Sequence, residues 1–69
     1  NPSTDNILLS AEDSPMNTIQ VFGLDGTLLM EDSPKLFSYS LDLSTVPAGI
    51  YLVRISQTNN TETLRIIKE

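Results

Sequence analysis

Between Phe37 and Ser44 the chain alternates: Phe37, Tyr39, Leu41 and Leu43 share one parity, and Ser38, Ser40, Asp42 and Ser44 the other. A period of two is the mark of a strand with one wet face and one buried face. Beyond Thr45-Val46-Pro47-Ala48-Gly49, the residues Ile50, Tyr51, Leu52, Val53 and Ile55 make a nearly unbroken apolar run. Such a run predicts a strand covered on both faces, at the centre of a sheet. Pro47 holds φ at about −65° and donates no ladder hydrogen bond, so it suits a strand entrance, and Gly49 admits positive φ or a close backbone approach. The segment reads as a β-arch that stops one strand and re-aims the next.

The remaining pattern is of the same kind. Asn6 to Ser10, with Ile7, Leu8 and Leu9, predicts a first strand, ended by Glu12-Asp13-Ser14-Pro15. Asn17 to Phe22 predicts a second, with Ile19 and Val21 on one face and Gln20 and Phe22 on the other. Gly23-Leu24-Asp25-Gly26 contains the Asp-Gly pair of a hairpin, in which both residues tolerate positive φ, and Thr27 to Met30 is the return strand. Glu31-Asp32-Ser33-Pro34 then repeats the earlier acidic strand ending. Gln57 to Thr61 is a polar turn whose Asn59-Asn60 pair suits left-handed positions, and Glu62 to Ile67 is the last strand. These elements predict an all-β fold, a small antiparallel Ig-like sandwich of about six or seven short strands with no helix.

Composition sharpens the class. With 39% hydrophobic and 19% charged residues the chain is that of a folded domain rather than a disordered tail. Its 69 residues allow one domain, which at this size buries only ~60% of its unfolded surface. Four basic residues against nine acidic give a net charge of −5, which argues against binding a nucleic-acid backbone. There is no cysteine and no histidine, so disulfides, thiolate nucleophiles, imidazole bases and most zinc or copper sites fall away together. The two acidic segments lack the spacing of a calcium loop, so no metal and no cofactor is assigned. Serines and carboxylates are present without a base to activate them or a Gly-x-Ser-x-Gly context, which argues against an enzyme. Asn59-Asn60-Thr61 matches a glycosylation pattern but is better explained as turn chemistry. No apolar run approaches the ~20 residues that span a bilayer, and no signal-peptide pattern stands at the amino end. The start at Asn1-Pro2 without an initiator methionine reads as a piece of a longer protein.

Several stretches together resemble a known family. Asn1-Pro2-Ser3, then Ile19 to Leu29 (IQVFGLDGTLL), then Leu41 to Ile55 (LDLSTVPAGIYLVRI) and finally Thr63 to Glu69 (TLRIIKE) resemble the type A C-terminal sorting domain of the type IX secretion system. The Pro-Ala-Gly-Ile-Tyr core followed by a short basic and apolar last strand is the specific part. The chain departs from the family's usual pattern at Gly23 and Thr27.

This resemblance implies a removable export signal at the end of a secreted cargo. It implies cargo that crosses the inner membrane on a separate signal peptide, and a tag that folds in the periplasm as an Ig-like sandwich. Its implied partners are outer-membrane type IX translocation or shuttle components and a sortase-like peptidase that removes the domain. The cargo then ends at the cell surface or secreted. The motif residues carried over are Gly26, Pro47, Gly49 and Tyr51, as architecture, and Arg65, Ile66, Ile67, Lys68 and Glu69, as recognition candidates on a last strand open to strand addition or end capture. The competing expectation is a surface adhesion or carbohydrate-binding sandwich of an extracellular enzyme. It is disfavoured by the absence of tryptophan and the scarcity of aromatic platforms.

Overall fold

The alternation becomes six strands in the computed structural model, which describes residues 6–69. They are β1 (Asn6–Ser10), β2 (Thr18–Gly23), β3 (Leu28–Asp32), β4 (Ser38–Asp42), β5 (Gly49–Ser56) and β6 (Thr61–Lys68). All ladders are antiparallel. A two-stranded sheet, β1-β4, faces a four-stranded sheet in the order β3-β2-β5-β6, and among the described residues there is no helix. The fold is thus an all-β, Ig-like sandwich. The Asn1-Pro2-Ser3 motif lies outside the described residues.

The core is built from one parity of each strand. Ile19 and Val21 of β2 and Tyr51, Val53 and Ile55 of β5 meet Leu9, Leu41 and Leu43 from the side of the smaller sheet, and all are buried. Burial of a side chain such as Val53, fully enclosed, contributes roughly 1.5–3 kcal/mol. Met16, which lies in no strand, is also fully enclosed. A single bridge to Leu36 holds it, with Met16 N–H donating to the Leu36 carbonyl at 2.8 Å and Lys35 N–H to the Met16 carbonyl at 2.9 Å.

Five local expectations need correction. β5 lies inside its sheet as predicted, but it is covered on one face only: Tyr51, Val53 and Ile55 are buried while Ile50 and Arg54 are exposed. The smaller sheet covers a single side, so the unbroken apolar run does not mean double burial. Phe37, placed on the buried parity, is 51% exposed. The β1-β4 ladder ends at Ser10↔Ser38, and just beyond it the Phe37 carbonyl accepts the Ala11 N–H at 2.8 Å. The second acidic segment does not stop its strand at once, because β3 continues through Glu31 and Asp32, which pair with Gln20 and Ile19. The Asp-Gly hairpin forms with only Gly26 at positive φ (89°). Its Gly23 N–H donates to Thr27 O and its Gly26 N–H to Gly23 O, the pattern of a three-residue loop. The Asn59-Asn60 turn uses no left-handed residue, since the one described non-glycine residue with positive φ is Lys35. The turn closes instead through Gln57 N–H and the Asn60 carbonyl at 2.7 Å, and a four-residue loop of this kind needs no positive φ.

Candidate recognition site

β6 ends one side of the four-stranded sheet, so one of its backbone edges has no strand partner among the described residues. Pairing with β5 from Gly49↔Lys68 to Ser56↔Thr61 fixes which way each of its side chains points. Ile66 and Leu64 face inward and pack against the core, half-buried. Arg65 and Ile67 face outward, with Ile67 56% exposed. Glu69 follows the strand and is exposed.

Lys68 has a different environment from Arg65. It shares the inward parity of Ile66, is half-buried, and its Nζ donates to the carbonyls of Leu43 at 2.7 Å and Val46 at 2.6 Å. Those carbonyls belong to the arch between β4 and β5, where the chain leaves one sheet for the other. The arch is knitted from within as well. Ser44 N–H donates to Asp42 Oδ1 at 2.9 Å, and Val46 N–H donates to the Leu43 carbonyl at 3.2 Å. The Ser44 bonds hold the Asp42 carboxyl below its ordinary range. The Tyr51 hydroxyl, on a buried side chain, donates to the Pro47 carbonyl. The last strand, the arch and the central strand therefore converge at one end of the sheet.

The two motif glycines differ. Gly49 opens β5 at φ 159°, at the margin of extended backbone, and a Cβ there meets the Tyr51 ring and hydroxyl at 3.7–3.8 Å, an ordinary contact. Gly26, at φ 89° with open space around it, is required by backbone conformation alone. It sits at the tip of the β2-β3 hairpin. Asp25 Oδ1 accepts the Thr27 N–H there at 3.0 Å, which lowers the Asp25 pKa. The register Gly23↔Tyr51↔Ile66 places this hairpin at the same end as the arch, with β5 between it and β6. The structure thus gathers Pro47, Gly49, Tyr51, Ile66 and Lys68, and leaves Gly26 apart.

Two features have no sequence signal. Lys68 is expected as a recognition residue, and nothing local reveals that it reaches carbonyls of residues 43 and 46. Tyr39 donates to Asp32 Oδ2 at 2.6 Å, joining β4 to β3 across the gap between the sheets and raising the phenol's pKa. That bond crosses a cleft of about 130 Å³ lined by Ile19, Val21, Met30 and Leu41. Among the described residues no three acidic, histidine or cysteine side chains are grouped to hold a metal. Of the aromatic residues only Phe37 is exposed, which leaves no paired platform for a sugar ring.

A family model described as the secretion system C-terminal sorting domain matches residues 1–69. The chain belongs to that family. No curated protein and no solved structure matches it in the corresponding comparisons. The sorting domain carries a type IX secretion signal, it interacts with the type IX machinery, and its family is not one of enzymes. A sorting tail of this kind implies export through the outer membrane, to the surface or the secreted state.

Proposed function

We propose that this sorting domain is read by outer-membrane translocation or shuttle components through its last strand, after the cargo has reached the periplasm on a separate signal peptide. A sortase-like peptidase then removes the domain, and the cargo is released or surface-attached. The supporting observation is the position of β6: the final family motif forms an edge strand, one backbone edge of which has no strand partner among the described residues. An unpaired edge is a template for strand addition, in which backbone bonds give affinity and alternate side chains give selectivity. Arg65, Ile67 and Glu69 are the side chains exposed to such a partner, whereas Ile66 and Lys68 hold the strand in register. Pro47, Gly49 and Tyr51 shape the arch, and Gly26 the hairpin.

The test is to append residues 1–69 to a periplasmic fluorescent reporter in a type IX host. Reporter in the medium or on the surface is the expected result. Removal of residues 61–69 is expected to trap it in the periplasm, and normal export of the shortened tag would refute the role given to β6.

A further inference from the structure

The outer face of the four-stranded sheet bears three cross-strand rows. Leu28, Phe22, Leu52 and Arg65 stand opposite one another in turn, a row that crosses all four strands. Beside it Ile50 stands opposite Ile67. On the other flank Glu31, Gln20, Arg54 and Thr63 form a polar row. Leu28, Ile50 and Ile67 are 46%, 37% and 56% exposed, and no strand of the smaller sheet lies over them. Apolar side chains left at the surface make this face partly greasy.

Its charge balance differs from that of the whole chain. The chain carries −5 overall, yet the strands place Arg54 and Arg65, two of its four basic residues, on this face beside the carboxylate of Glu31, with Glu69 exposed just past the end of β6. Glu31 is occupied by the Gln20 amide at 2.9 Å. Among the described residues neither arginine has a carboxylate partner, and the Arg54 guanidinium lies 5.2 Å from the Phe22 ring centroid. Arg54 is opposite Thr63, so Arg65 is its diagonal neighbour, about 7–8 Å away by strand geometry. Two planar donors on neighbouring strands, rimmed by aliphatic side chains, match a pair of carboxylates set beside an apolar patch.

We infer that this outer face docks on a protein surface of that chemistry, apolar at its centre with two or more Asp or Glu side chains at its rim. The inference rests on the export reading, and assigns its partner's contact surface. A folded protein confines its carboxylates to this face. An anionic bilayer presents charge over its whole extent and so meets the acidic remainder of the chain as well. A second copy of this chain would bring two further arginines to the contact.

The experiment places a photo-cross-linking residue at Leu52 or Ile67 in the reporter fusion, with Leu8 on the smaller sheet as the control position. Adducts from Leu52 and Ile67, absent from Leu8, to a protein segment bearing at least two acidic residues beside apolar ones are expected. Arg54→Glu with Arg65→Glu is expected to lower their yield about tenfold or more at an unchanged thermal midpoint. Should that reversal unfold the domain, Arg54→Gln with Arg65→Gln asks the same question. Adducts only to lipid, only to a second copy, equal from Leu8, or none would overturn the inference, as would retained yield in the charge variants. So would binding of the purified fusion to phosphatidylglycerol–phosphatidylcholine vesicles that the charge reversal abolishes. Export of the unaltered fusion is scored separately. An exported tag without adducts sinks this inference alone, and an adduct-forming tag that is not exported sinks the export reading alone.

Discussion

The two faces of the β5-β6 ribbon carry similar side chains for different ends. Inward, Tyr51, Val53, Ile66 and Lys68 close the core and secure the arch; outward, Ile50, Leu52, Arg54, Arg65 and Ile67 remain at the surface. The clearest contrast is between the two cations of β6. Lys68 has its ammonium on two backbone carbonyls, and Arg65, three residues earlier and on the opposite parity, is exposed. A basic residue in a terminal motif therefore has no fixed meaning. One step along a strand turns a structural clamp into a surface contact.

Paired substitutions test this contrast, and the largest difference is expected in the core. Val53→Ala, at a fully enclosed side chain, should destabilise the domain by about 2–3 kcal/mol, while Ile67→Ala, 56% exposed, should stay within about 0.5 kcal/mol. Denaturant midpoints of the two variants decide this, and equal shifts would break the inner–outer distinction. Next come the cations. Lys68→Met keeps the aliphatic stem but removes both bonds to the Leu43 and Val46 carbonyls, and about 1–3 kcal/mol should be lost. Arg65→Met should leave the thermal midpoint unchanged and reduce export of a tagged reporter. If Arg65→Met proves the more destabilising, the clamp is misassigned. The smallest effect is expected from Tyr51→Phe, which removes only the hydroxyl bond to Pro47, at a cost of about 1 kcal/mol. Faster amide exchange at residues 44–49 than in the parent should accompany it, and uniform exchange would place the loss elsewhere.

The strand pattern was readable because alternation is a local property. Ile19 and Val21, and Leu41 with Leu43, lie buried as their spacing implies, and the arch around Pro47 links the two sheets. Reading failed where a long-range partner set the outcome. The apolar run at residues 50–53 could not tell one covering layer from two, and Phe37 kept its parity but lost its cover. Met16, outside every periodic segment, became core through one bridge to Leu36. In the candidate site, the motif residues were legible as a set, yet their division into inward and outward roles was not.

What the sequence by itself determined is the kind of molecule: a small acidic all-β domain whose motifs mark a sorting signal. Strand periodicity and turn chemistry act over a few residues, so they can be read along the chain. Tertiary structure alone decided that a lysine at the end of β6 meets carbonyls more than twenty residues away, and that Leu28, Phe22, Leu52 and Arg65 form one row. Both depend on strand order and register, which bring distant segments together and leave no mark at any single position.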